Sequence, residues 1–407
     1  FQNNKKLLDS LSICFLPSSN PYARLVDCLR ASWLSGKTRP MEYRKEQLEA
    51  LGRFLEERKE DILKALHEDL CKPPFEAEIS EIALTKNEIN NALNNLQHWM
   101  KDESVSKNLA TQFDSAFIRK DPYGVVLIIG VYNLPINTIL VPLVGAIAAG
   151  KSGSPSGLEQ PVYMNDTIAV VTGDHEMTSK LLENRLDYIF FTGSTHVGKI
   201  IMAAAAEHLT PLTLELGGKS PCYVDKCCDF QNAANRIVWG KFFNAGQNCT
   251  APDYVICTIE TQERLMPFMQ EEIFGPILPI ITVQDLDEAI RFINCRERPL
   301  AIYAFSRNYK VVNQVLACTS SGGFCGNDTL MQLSLINLPF GGIGYSGFGK
   351  YHGKLSFDTF TNLRGCLSRC IGFESINTIR YPPYNDRNLA LMTSALEIKR
   401  KGLCTLL

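Results

Sequence analysis

The segment FFNAGQNCTAPDY, Phe242 to Tyr254, holds the group best suited to covalent chemistry, the thiol of Cys249. A lone cysteine is most often a small buried hydrophobe. The small and polar residues before it, Gly246 and Gln247 in particular, point to a loop entering a site, where backbone N–H groups can face a substrate oxygen. A thiolate held in such a place can attack a carbonyl carbon.

Four further segments carry groups that such a nucleophile would need. In LELGGKS, Leu214 to Ser220, a single acid, Glu215, ends an apolar stretch just before two glycines. It reads either as a salt-bridged strand end or as a carboxylate whose burial makes it a general base. In FFTGSTHVGK, Phe190 to Lys199, a strand meets a helix through Gly193, Ser194 and Gly198. The free N–H groups of that helix start suit a phosphate, although the spacing is not GxGxxG and a plain strand-to-helix turn would read the same. In GVYNLP, Gly130 to Pro135, the Asn133 amide is placed to donate to an oxyanion or to cap the next helix. In MQEEIFGP, Met269 to Pro276, Glu272 and Phe274 stand two apart, a spacing that puts both on one side of an extended segment. They suit a ribose and a flat ring, or an ordinary turn.

The elements around these segments alternate. Residues 22–100 read as helical, with Leu48, Leu51, Leu55, Ile62, Leu63 and Leu66 at helical spacing. A short strand is expected at Ser115–Lys120. The uncharged run Tyr123 to Gly150 is long enough to span a bilayer. Pro135, Pro142 and its glycines divide it instead into a buried strand (124–130), a loop and a buried helix (136–149). Strands are expected at 187–192, 212–216 and 221–224, and helices at 195–208 and 229–244. The alternation predicts an α/β architecture with a largely parallel sheet. KSGSPSG, Lys151–Gly157, is expected to be a flexible loop.

At 407 residues the chain exceeds what one hydrophobic core organises, so two or more domains are expected. A net charge of −2 leaves no basic field for nucleic acid. The 14 cysteines include no CxxC pair and the 6 histidines are dispersed, which argues against a metal site and for a reduced, intracellular protein. Opening on Phe1, the sequence reads as a fragment or a processed start, and Lys5–Leu16, interrupted by Asp9, does not read as a signal peptide.

Taken in this order, GVYNLP, FFTGSTHVGK, LELGGKS, FNAGQNC, EEIFGP and LPFGGIGYSGFG resemble the aldehyde dehydrogenase superfamily. GAIAAG, TSSGGFCGND, YHGKLSFDTF and RYPP are similar to its class 3, from about Tyr22 to the C-terminus. The resemblance implies a Rossmann-type cofactor domain, an α/β catalytic domain and a small oligomerisation arm. The expected boundaries are an unmatched 1–20; the helical region and dinucleotide-binding domain over 21–214, with 105–121 in the arm; the catalytic domain over 215–350; an oligomerisation strand in 351–375; and a tail over 376–407. It implies that Cys249 is the nucleophile, Asn133 with the Cys249 N–H the oxyanion donors, and Glu215 the base that activates water. Gly193, Ser194 and Gly198 would lie along NAD or NADP, Glu272 would hold the nicotinamide ribose, and Phe274 would pack nearby.

Both main domains are expected to be shortened. After GAIAAG the family's next strand is missing from the pattern, and its lysine and glutamate are not carried onto Lys151 or Glu159. Between Arg264 and Met269 a long helix-and-strand insert is missing. The chain ends Cys404-Thr405-Leu406-Leu407 behind Lys399-Arg400-Lys401, a geranylgeranylation pattern with a basic cluster. This tail resembles the prenylated B-type branch, which implies medium- and long-chain fatty aldehydes, a homodimer, and a place on the cytosolic face of membranes. The alternative is a catalytically impaired, lipid-anchored binding protein. A cysteine hydrolase is a weaker third reading, since no histidine pairs recognisably with Cys249.

Overall fold

The computed structural model describes residues 20–150, 152–156, 163–258, 274–369, 371–372 and 374–398. The chain divides into two units. One comprises residues 1–96 and 123–360, the other 97–122 and 361–407.

The larger unit holds two sheets. The first has the order Gly347–Phe348, Leu212–Glu215, Tyr188–Thr192, Val125–Ile129, Ser152–Ser156, Ile168–Ala169, Tyr163–Asn165. Its central pairs are parallel, as the alternation of strands and helices requires. Val125–Ile129 is buried at every position, so it reads as a continuous apolar run rather than an alternating one. The chain leaves it through helix Asn137–Ala149 to the neighbour on one side and later returns to Tyr188–Thr192 on the other. That reversal creates a crevice at the carboxyl ends of Val125–Ile129 and Tyr188–Thr192, the place where open α/β sheets bind ligands.

The second sheet runs Ile280–Val283, Tyr254–Thr258, Pro221–Val224, Ala301–Phe305, Gly323–Gly326, all parallel. Tyr223, Tyr254, Ile256, Ile302 and Val315 are among the residues that form its core. The smaller unit carries an antiparallel pair, Ser115–Pro122 with Thr361–Ser368, joined by Glu103–Ser104.

The α/β class is borne out, and most elements fall within two residues of their expected ends. One expectation fails. Lys151–Gly157 is not a plain loop, and the strand after GAIAAG is not missing: Ser152–Ser156 pairs in parallel along the whole of Val125–Ile129. Serine, glycine and proline are poor strand formers, but the buried edge of Val125–Ile129 leaves backbone groups that must find partners. That demand outweighs local propensity, even with Pro155 unable to donate to the ladder. Among the described residues no helix is long and apolar enough to cross a membrane, and Tyr123–Gly150 divides into strand and helix as expected.

Candidate active site

The segment of the candidate nucleophile follows helix Phe230–Phe242, and just beyond the helix end the backbone takes a conformation that side chains resist. Asn244, Ala245 and Gly246 all lie in the left-handed region, at φ 55°, 54° and 79°. Such a run persists only where its surroundings hold it. The Asn244 N–H donates to Glu76 Oε2 at 2.7 Å, and its amide donates to the carbonyls of Asn133 at 2.8 Å and Gln247 at 3.0 Å. A Cβ at Gly246 would collide with the Gly275 carbonyl. Asn248 then makes an Asx turn, its Oδ1 accepting from the Thr250 N–H and hydroxyl at 3.0 and 2.8 Å. The half-buried Cys249 Sγ lies 3.9 Å from the same oxygen.

Asn133 reaches this loop from the end of Val125–Ile129. Its Nδ2 donates to the Gln247 carbonyl at 2.9 Å, two residues before the thiol. An amide nitrogen has two hydrogens, so a second donor remains. The capping role is excluded, because helix Asn137–Ala149 is served by Glu81 Oε2, which accepts from the N–H groups of Ile136 and Asn137. The other Glu81 oxygen pairs with Lys72, and Lys72 Nζ lies 3.5 Å from the Asn133 carbonyl.

Glu215 ends strand Leu212–Glu215 and is 2% exposed. Neither carboxyl oxygen has a hydrogen-bond partner among the described residues, so the salt-bridged reading fails. Burial pushes its carboxyl well above the usual range, opposed by the ammonium of Lys350. Tyr351 connects the two catalytic candidates. It is buried, and both Glu215 and Cys249 lie close enough to add to the rise that burial gives its hydroxyl.

The residues expected along a nucleotide lie at the neighbouring strand end. Tyr188–Thr192 runs into Gly193, where a Cβ would strike the Phe191 ring. Ser194 caps helix Thr195–Glu207 by accepting from the Val197 N–H at 3.3 Å. Gly198 lets that helix close on the sheet, since a Cβ there would stand 2.8 Å from Leu216 Cδ2. Thr192 Oγ1 is buried at the same strand end with no hydrogen-bond partner among the described residues, an orphan that a bound polar group would satisfy. With the crevice beside it, this fits a dinucleotide. Phe274 packs edge-on against Tyr132, the residue before Asn133, with ring centroids 6.5 Å apart. Glu272 and Cys404 lie outside the described residues, as does the segment between Arg264 and Met269.

Sequence reasoning missed Lys72, Glu76, Glu81, Asn244, Lys350 and Tyr351. Glu81 carried one faint signal, an acid among the apolar positions of EISEIA. The others act through contacts between segments far apart in the chain.

A crossover sheet of this kind, with a thiol, an amide and a buried carboxylate at its strand ends and loops, is the setting of a coenzyme-dependent oxidoreductase. The chain belongs to the aldehyde dehydrogenase family, whose sequence model matches residues 30–152, 164–267 and 254–365. It is 50% identical to aldehyde dehydrogenase family 3 member B1 of Rattus norvegicus, over 93% of this chain and 98% of that protein. It is 42% identical to family 3 member A2 of Macaca fascicularis, over 88% and 91%. Among solved structures, the substrate-bound AldH of Staphylococcus aureus matches with a TM-score of 0.85 and 35% identity, over 90% of this chain and 98% of that one. The fold expectation and the class 3 resemblance are therefore borne out. The alignment to the rat protein spans 459 positions against 407 residues here, so this chain is shorter than its relative.

Proposed function

We propose that this aldehyde dehydrogenase oxidises medium- and long-chain fatty aldehydes to carboxylic acids through a covalent intermediate on Cys249. The Cys249 thiolate adds to the aldehyde carbon, and the carbonyl oxygen becomes an alkoxide. The free hydrogen of the Asn133 amide and the Cys249 N–H donate to that oxygen. NAD or NADP, when bound, would supply the acceptor for the hydride of that carbon, so that Cys249 would be left carrying a thioester. Glu215 removes a proton from water, whose oxygen attacks the thioester carbon; the acid departs and the thiolate returns. Gly193, Ser194 and Gly198 would line the coenzyme, Phe274 would pack beside it, and Glu272 would hold its ribose.

The observation that carries this reading is the bond from Asn133 Nδ2 to the Gln247 carbonyl, which ties the oxyanion donor to the loop of the nucleophile. Aldehyde-dependent reduction of NAD or NADP, abolished in Cys249→Ala, is the expected result. Folded protein that gives no burst with hexanal or a longer aldehyde at saturating coenzyme would overturn it.

The substrate class rests on the B-type resemblance and on the tail. Helix Asp386–Leu396 exposes Leu389, Leu391 and Leu396 just ahead of the basic cluster and Cys404. A prenyl group on Cys404 and the three cations would together anchor the enzyme to the cytosolic face of membranes. Pairing of two copies through the arm strands would give a homodimer; Leu363 and Leu367 are exposed there. Membrane partitioning that persists in Cys404→Ser would refute the anchor.

A further inference from the structure

Glu215 poses a physical difficulty for its own role. A base must be ionised, yet this carboxylate is almost fully buried and neither oxygen accepts a hydrogen bond among the described residues. Burial without a partner favours the protonated form. Something in the fold must hold enough of it ionised.

Among the described residues the fold brings one cation to it. Strand Gly347–Phe348 pairs antiparallel with the end of Leu212–Glu215, placing Gly347 opposite Glu215 itself. The chain then turns at Gly349, φ 98°, and presents Lys350. The Lys350 carbonyl accepts from the Thr359 hydroxyl at 2.6 Å, which fixes the turn. Its Nζ donates to the carbonyls of Gly341 and Gly342 at 2.6 and 3.2 Å. Gly341 lies between the two side chains: a Cβ built on it would stand 3.0 Å from Glu215 Oε1 and 3.1 Å from Lys350 Cδ. The ammonium is thus held by two neutral carbonyls, and among the described residues no carboxylate other than Glu215 acts on it.

We propose that Lys350 is the counter-charge that sets the ionisation of Glu215, and so the pH at which thioester hydrolysis switches on. Lys350 acts through Glu215 and is a positioning residue. The inference rests on Glu215 being the base. Each group is displaced by its own burial and opposed by the other: the carboxyl upward against the pull of Lys350, the ammonium downward against that of Glu215. Among the described residues, the other ionisable groups facing Glu215 are Tyr188, from the adjoining strand, and Tyr351. Burial pushes both phenols up, Tyr188 to about 12, so both are neutral in the working range and neither supplies positive charge. His352, beyond Tyr351, is half-buried and stacked on Phe340, and desolvation pushes it down to about 4, so it is neutral as well. Glu88 and Cys249 reach Tyr351 and can add only negative charge.

The test is the pH dependence of kcat for aldehyde oxidation and for coenzyme-free hydrolysis of p-nitrophenyl acetate, in wild type, Lys350→Gln, Lys350→Met, Lys350→Arg and Glu215→Gln. Glutamine keeps a donor for the two carbonyls and removes the charge. The acid limb should move up by about one pH unit in Lys350→Gln and Lys350→Met, the low end of the effect of an adjacent opposite charge. It should stay at the wild-type position in Lys350→Arg and vanish in Glu215→Gln. A lower kcat with an unmoved limb in either uncharged variant would mean that Lys350 only braces the loop, and would overturn the inference alone. A limb that survives in Glu215→Gln would overturn the assignment of the base as well.

Discussion

Lys72 Nζ stands 2.9 Å from Glu81 Oε1, and neither side chain is exposed to solvent. The pair sits behind Asn133, the proposed oxyanion donor. Glu81 closes the start of helix Asn137–Ala149 with its second oxygen, and Lys72 reaches the Asn133 carbonyl. The loop that carries Asn133 is therefore fastened at both ends by one buried ion pair.

Removing either partner strands the other charge, at a cost of about 3–5 kcal/mol. Lys72→Met should lower the melting temperature sharply, and any enzyme that still folds should lose kcat more than it raises KM. The double variant Lys72→Met/Glu81→Leu should recover part of the stability without the activity, because the helix start and Asn133 stay unfastened. Calorimetry beside steady-state kinetics reads both effects.

Asn133→Ala should cost about 100- to 1,000-fold in kcat, the usual worth of one oxyanion donor. Since its Nδ2 also holds the Gln247 carbonyl, the variant should lose loop order too, seen as faster amide exchange near Gln247. An unchanged kcat in folded Asn133→Ala would remove it from the site.

Glu215 should make the enzyme less stable as pH rises. Its folded carboxyl is raised above the ordinary 4.5 by burial, so the unfolded chain gives up its proton first. Stability is then fully present below the ordinary value and is lost as pH climbs through the folded one. Glu215→Gln should melt higher than wild type at neutral pH, by about 1–3 kcal/mol for a buried acceptor without a partner, and the advantage should fade toward pH 4. The same variant should be inactive, so stability and catalysis oppose each other at this position.

Glu88 offers a second titration with a defined window. Burial raises it to about 7, against the pull of the Gly353 N–H. The sign is the same: Glu88→Gln should gain stability over wild type between pH 4.5 and about 7, and little more above. Melting curves across that range decide it.

Gly246→Ala should disable the nucleophile loop. The position has φ 79°, and a Cβ would run into the Gly275 carbonyl. The left-handed conformation alone costs about 1–2 kcal/mol for a residue with a side chain. The collision adds to that, so thiol alkylation rates at Cys249 should change along with kcat.

The parts of this protein that local pattern governs were readable from the sequence. Val125–Ile129 is an apolar run long enough only for a buried strand, and Thr195–Glu207 follows the turn at Gly193 as its spacing requires. Cys249, Glu215 and Asn133 stood out because each is a chemically able side chain in a glycine-rich or apolar setting that gives it no ordinary task. Ser152–Ser156 was misread for the opposite reason. Its own residues argue against a strand, and its place is dictated by the neighbour whose backbone it satisfies.

The sequence by itself determined the family and the order of strands and helices, and it singled out the candidate nucleophile, base and oxyanion donor, because these are properties of short segments. Only the tertiary structure decided that Asn133 is fastened by Lys72 and Glu81, that Asn244 links its carbonyl to the nucleophile loop, and that Lys350 comes to rest beside Glu215. Those pairings join residues from 55 to 135 positions apart. Burial and the energy of a charge depend on what surrounds it in space, and a linear pattern does not contain that information.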